Sequence, residues 1–291
     1  MRPGNPVPFS WSYTTDAPPA DADGNPQHRT LRARLTLPEV GRPPFPVAIL
    51  VHGYTGFMDW GFFPVLSREL ALAGVASVRF NFSGSGIGPD LVTMTEPDVF
   101  RRNSYLHELG DLREVHDKVH GGAWPQLDAA HCSIVGHSRG GAMSLVHASE
   151  TNDYRTVVTW AAIDRILNFS TERLDLWRRQ GFLDVMHWTA RRRLPLDVAT
   201  LHAAESHVGR LDVLAACRRL VCPVLVVMGD RDPGVPFAAA ESLAAACGSR
   251  GRLLRIAGGD HTFGATHPFR EPLPETLHLA LRKTVSHVLG S

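Results

Sequence analysis

The chain of 291 residues lacks any apolar run near the roughly 18 residues that a bilayer-spanning helix requires. Its first residues, Met1 to Pro6, are polar and proline-rich, without the apolar core of a secretory signal. Cysteine is scarce: Cys132, Cys217, Cys222 and Cys247 show no C-x-x-C spacing. They read as reduced thiols in a cytoplasmic protein, with Cys132 a small buried hydrophobe. Charge of neither sign is in excess, since 30 Lys and Arg offset 29 Asp and Glu for a net +1. That balance argues against nucleic acid or an anionic membrane as the main partner. Internal repeats and low-complexity tracts are also missing. The chain has neither G-x-G-x-x-G nor H-E-x-x-H. Accordingly, the loop Asn81-Phe82-Ser83-Gly84-Ser85-Gly86 reads as a loop beside an active site rather than a phosphate cradle. His116 and His120, at i and i+4, read as a solvated helix face, and no metal is expected.

What is present is a normal 44% of apolar residues, enough for a sizeable core. Two alternating segments, 8–13 and 31–37, flank a Pro/Asp/Gly-rich turn and predict an antiparallel pair. Continuous apolar runs follow at 46–51, 75–80, 132–136, 156–160 and 224–228, with a further strand at 252–257. Runs without alternation suit strands buried on both faces. Between them, 62–73, 104–120, 236–247 and 276–289 read as helices, the second with Leu109, Leu112, Val115 and Val119 on one stripe. Strand–helix alternation predicts an α/β fold with a mostly parallel sheet and helices on both faces. One excursion interrupts the rhythm. Residues 164–208, rich in Arg and Trp, read as two or three short helices forming a cap over the C-terminal sheet edge. This divides the chain into core residues 1–163, the cap insertion 164–208 and core residues 209–291.

The most informative motif is Gly136-His137-Ser138-Arg139-Gly140, set between a strand-like run and a helix-like one. In that context G-x-S-x-G is a nucleophile elbow, which exposes a serine hydroxyl beside a helix N-terminus. A serine needs a base and a carboxylate to orient that base. His261 sits in the glycine-flanked loop Gly258-Gly259-Asp260-His261-Thr262-Phe263 after the last strand, and is favoured over His267. Asp232, in Gly229-Asp230-Arg231-Asp232-Pro233-Gly234, is favoured as the acid. Asp164 is the competitor from the previous strand, Asp230 is read as a turn cap, and Asp260 is too near His261 in sequence. Two N–H donors complete an oxyanion hole. Arg139 follows the nucleophile, and Tyr54 lies in His52-Gly53-Tyr54-Thr55-Gly56 after the 46–51 strand.

These motifs, in this order, resemble the α/β-hydrolase superfamily over almost the whole chain. Within it, H-G-Y-T-G with D-H-T-F resembles bacterial cinnamoyl/feruloyl esterase-like and S33 serine-aminopeptidase-like hydrolases. The resemblance implies a sheet of about eight strands, a helical cap after strand 6, a Ser138–Asp232–His261 triad and no cofactor. The expected activity is hydrolysis of short-chain or aromatic carboxylic esters. An S33-like peptidase or amidase, an acyl thioesterase and a non-catalytic receptor are the alternatives. An aminopeptidase would require an acidic group such as Glu172, Asp175, Asp184 or Asp197 near the site. Phe57, Trp60, Trp177, Phe182, Met186 and Trp188 are pocket candidates, and Arg191-Arg192-Arg193 is set aside as a solvated charge run. The expected partner is a small-molecule ester, and the oligomeric state is left open, a homodimer included.

Overall fold

The computed structural model describes residues 5–15 and 27–290. The start of the N-terminal segment and the turn expected after residue 15 lie outside them. The two alternating segments form β1 (Val7–Thr15) and β2 (Gln27–Thr36), paired antiparallel with Trp11 opposite Leu31. The next strands are β3 (Phe45–Val51), β4 (Ala76–Asn81), β5 (Leu127–His137) and β6 (Thr156–Trp160). Val47 to Val51 and all of β4 and β6 are buried, so both faces are covered, and their branched residues fit a pleated surface packed from each side.

Helices α1 (Phe62–Leu72), α2 (Pro97–Arg101), α3 (Tyr105–His120) and α4 (Arg139–Thr151) connect these strands. Ser104 caps α3 by accepting from the His107 N–H, which satisfies one of the free donors of the first turn. The burial of α3 exceeds one apolar stripe, because His107, Glu108 and Asp111 are buried beside Leu109 and Leu112.

The excursion after β6 corrects the expectation of helices alone. It contains α5 (Thr171–Gln180), β7 (Phe182–His187), β8 (Arg192–Asp197) and α6 (Val198–Ser206). β7 and β8 pair antiparallel as a hairpin. Phe182 to His187 alternates, with Leu183, Val185 and His187 buried, and period two is a strand pattern rather than a helical one. Leu183, Val185, Leu194 and Leu196 pack with Trp177 and Leu201 against Phe57, Ile87, Met94 and Phe100 of the main body. The Trp177 indole N–H is satisfied by the Leu196 carbonyl at 3.0 Å.

The chain returns through α7 (Val213–Arg219), β9 (Val224–Gly229), α8 (Phe237–Cys247), β10 (Gly251–Ile256) and α9 (Glu275–Gly290). Pro236 is the N-cap of α8, so the helix begins one residue after the expected start at 236. The sheet runs β1-β2-β4-β3-β5-β6-β9-β10, parallel from β4 to β10. From β3 the chain moves to β4 on one side and later to β5 on the other. That reversal opens a crevice at the C-terminal ends of β3 and β5. All four cysteines are free and buried. Among the described residues, no helix is long and apolar enough to cross a membrane.

Candidate active site

Ser138 lies between β5 and α4 with φ 54° and ψ −123°, a strained conformation for a residue with a side chain. Such strain persists only where surroundings over-determine it. Here the Ser138 N–H donates to the Trp160 carbonyl at 2.8 Å. Close backbone approach does the rest. A Cβ on Gly136 would lie 2.5 Å from the Gly140 carbonyl, and one on Gly140 would lie 2.3 Å from the His52 carbonyl. Only glycine lets the elbow fold back on its own strand and press against the loop after β3.

His261 Nε2 lies 3.1 Å from Ser138 Oγ, and His261 Nδ1 lies 2.7 Å from Asp232 Oδ2. The Asp232 side chain is 1% exposed and that of His261 is 29% exposed. Asp232 Oδ1 accepts from the Gly234 and Val235 N–H groups at 2.7 and 2.9 Å. Burial pushes the Asp232 carboxyl upward. The His261 hydrogen bond and charge, with those two N–H groups, outweigh burial and hold it below its ordinary range. The carboxylate therefore stays ionised against the imidazole.

The competing carboxylates are engaged elsewhere. Asp230 accepts from Gly258 N–H and pairs with Arg255, joining the loops after β9 and β10. Asp260 accepts from Thr262 and Gly264 N–H, shaping the turn that carries His261. Asp164 pairs with Arg165. His267 accepts from Gly61 N–H and lies against Phe57, away from Ser138.

Tyr54 and Arg139 flank Ser138. Arg139 is the first residue of α4, so its N–H has no carbonyl partner within the helix. A Cβ on Gly53 would touch Ser138 Cβ at 3.1 Å, so the Tyr54 loop packs directly on Ser138. Behind this contact lies a buried polar cluster that the sequence reading missed. The Arg139 guanidinium sits 3.5 Å over the Tyr54 ring and 4.6 Å over the Tyr105 ring. It also lies 3.4 Å from Glu108 Oε1, and Glu108 accepts from Asn103 Nδ2 at 2.9 Å. Burial raises the Glu108 carboxyl, and Arg139 opposes that rise. A stripe-based reading of α3 gave Glu108 no role; the signal was a carboxylate directly beside the apolar Leu109.

Two histidines wall the site in neutral form. His52 Nε2 accepts from Phe82 N–H at 3.1 Å, and burial lowers its pKa to about 4. His137 donates from Nε2 to the His261 carbonyl at 2.9 Å. Burial, then the neighbouring His261 charge, lowers its pKa to about 3.

Ser138 opens into a cleft of about 470 Å³ walled by Tyr54, Trp60, Phe63, Trp188, His261 and Thr262, among others. Of the pocket candidates, Trp60 and Trp188 line this cleft. The other four candidates do not line it. Phe57 and Trp177 are fully buried in the cluster beneath the hairpin. Phe182 and Met186 lie on the hairpin face opposite Leu183 and Val185, and neither lines the cleft. Residues at adjacent strand positions face opposite ways, and reading the segment as helical concealed this. Among the described residues, no group of three or more His, Cys, Asp or Glu suits a metal ion.

The sequence profile of the alpha/beta hydrolase family matches residues 48–273, and the chain belongs to that family. The turn at Ser138 and the cleft lie within the matched span. Among solved structures, Est1E from Butyrivibrio proteoclasticus with bound ferulic acid is 20% identical, with a TM-score of 0.70, covering 93% of this chain and 97% of that one. A Paleococcus ferrophilus monoacylglycerol lipase is 14% identical, with a TM-score of 0.64 and coverage of 89% and 98%. A Mycobacterium tuberculosis puromycin-hydrolyzing peptidase is 19% identical, with a TM-score of 0.59, covering 96% of this chain and 38% of that one. At these identities the likeness is one of fold. No curated protein matches the sequence.

Proposed function

We propose that the protein is a serine esterase that cleaves carboxylic esters through an acyl-enzyme. The observation that carries this reading is the continuous Ser138–His261–Asp232 hydrogen-bond chain at 3.1 and 2.7 Å. His261 Nε2 takes the Ser138 proton as Oγ attacks the ester carbonyl. Asp232 holds the ring with Nδ1–H toward the carboxylate and stabilises the imidazolium. The oxyanion is bound by the N–H groups of Arg139 and Tyr54. Collapse breaks the C–O bond, and the leaving alcohol takes the proton from His261. Water then attacks the acyl-enzyme, giving its proton to His261. The second collapse releases the acid and returns that proton to Ser138. No step calls for a metal or a cofactor.

The cleft supports an ester over an aminoacyl substrate, because none of the residues lining it is acidic. Of the acids that an aminopeptidase could have used, Asp175 pairs with Arg178 and Asp197 caps α6. Aromatic walls at Trp60, Phe63 and Trp188 favour aromatic or short acyl groups over an elongated lipid. We assign residues 164–208 the role of a cap that bounds this cleft through Trp188. The test is a p-nitrophenyl ester series, acetate to palmitate, with methyl ferulate, on wild type and Ser138→Ala. Turnover should peak at short or aromatic acyl groups and vanish in the variant. Ser138→Ala with wild-type turnover of every accepted ester would remove the reading. An aminoacyl anilide turned over in preference to all esters would transfer it to a peptidase.

A further inference from the structure

The cleft does not end at its tryptophans. Trp60 and Trp188 form a common wall with a second compartment of about 630 Å³, also lined by Met94, Arg191, Arg192 and His267. The tip of the β7–β8 hairpin builds this wall. Trp188 is 70% exposed there, so its indole is open to whatever enters the cleft. The tip is held firmly. Thr189 Oγ1 donates to the Thr55 carbonyl at 2.7 Å, beside Tyr54. Ala190 N–H donates to His187 Nδ1 at 3.1 Å, and Arg191 N–H reaches the Trp188 carbonyl. Arg191 has φ 53°, a left-handed turn that sets it and Arg192 just beyond Trp188.

Charge in this compartment is one-sided. Its lining contains two arginines and no carboxylate, and His267, which accepts from Gly61 N–H, is neutral. Nearby Asp59 is already shared by Arg34 and Arg79, whereas neither Arg191 nor Arg192 has an ion-pair partner among the described residues. An aromatic passage leading to two unpaired guanidinium groups recognises an apolar linker that ends in an anion.

We infer that the preferred substrates are esters bearing a carboxylate, held past Trp60 and Trp188 by Arg191 and Arg192. This rests on the esterase reading and narrows its substrate class. The carboxylate takes no part in bond breaking; it anchors the far end of the substrate and orients the ester at Ser138.

The experiment compares monomethyl esters of linear dicarboxylic acids with methyl alkanoates of equal length, and butanoate esters of ω-hydroxy acids with alkyl butanoates. The proteins are wild type, Arg191→Gln/Arg192→Gln and Arg191→Glu/Arg192→Glu. At the best length, the carboxylate should raise kcat/KM by about tenfold over its neutral counterpart, as expected for a charge-assisted contact open to solvent. The glutamine pair should erase that preference through KM while leaving neutral esters within about twofold, and the glutamate pair should invert it. Added salt should weaken the preference in wild type. Ser138-dependent turnover of neutral esters with no gain for the carboxylate at any length would overturn this inference alone. Absence of turnover for every ester would overturn the esterase reading beneath it.

Discussion

Glu108→Ala removes the carboxylate paired with the Arg139 guanidinium, at a site where Glu108 is 2% and Arg139 8% exposed. A buried pair broken from one side leaves an uncompensated charge, which typically costs about 3–5 kcal/mol. Two features place the cost toward the lower end. The contact is long at 3.4 Å, and the Tyr54 and Tyr105 rings continue to face the cation. We therefore expect a loss of about 3 kcal/mol, read as a lower urea midpoint at unchanged slope. Glu108→Gln keeps an acceptor for Asn103 and should cost about half as much. Catalysis should suffer as well, because the same guanidinium packs on Tyr54 and belongs to the residue after Ser138. Full loss of an oxyanion donor costs about 10²–10³ in kcat, so loosening the proposed one should cost about tenfold, with KM little changed. The assay is a urea melt beside steady-state kinetics on a short ester, both well below the unfolding midpoint. Glu108→Ala with stability within 0.5 kcal/mol of wild type, or with kcat untouched, would refute this account of the cluster.

Gly140→Ala would set a methyl 2.3 Å from the His52 carbonyl and 2.8 Å from that of Val51. It should lose about 3 kcal/mol or more, whereas Gly209→Ala, with open space around it, should stay within about 0.5 kcal/mol; equal thermal melts would contradict the close-packed elbow. Asp232→Asn should lower kcat by about 10⁴ by presenting the wrong tautomer partner to His261; a variant within tenfold of wild type would exclude Asp232 as the orienting acid. His52 is neutral when folded and has its pKa lowered from 6.5 to about 4. Between those values the unfolded chain binds a proton that the folded chain does not, so stability rises with pH across that window. The contribution is about 3 kcal/mol over the window. His52→Gln should flatten the measured ΔG against pH there, and an unchanged slope would show that His52 does not titrate as its buried bond to Phe82 requires.

Local pattern made much of the fold legible. Mostly apolar runs marked β3 to β6 and β9, because a strand buried on both faces keeps few polar positions, such as Arg79 of β4, which is paired with Asp59. Ser138, Asp232 and His261 were legible through glycine-framed loops after strands, and the structure brings their side chains into one hydrogen-bond chain. The hairpin Phe182 to Asp197 was harder to read. Its charged and turn residues diluted the period-two signal, and only docking on Ile87, Met94 and Phe100 identifies which face is inward. The Glu108–Arg139 contact joins residues 31 apart, and the Thr189–Thr55 contact joins residues 134 apart. No window along the chain holds both members of either pair, so neither is available to periodicity.

The Thr189 hydroxyl has a consequence for timing. It ties the tip that carries Trp188 to the carbonyl of Thr55, one residue from Tyr54. An outward swing of the hairpin therefore breaks this bond. Opening the mouth of the cleft means breaking a bond on the loop that carries the proposed oxyanion donor. Admission, retention and release would then share a single latch with the chemistry, and a protein whose latch is cut, as in Thr189→Val, should exchange ligands faster while holding the charged intermediate less firmly.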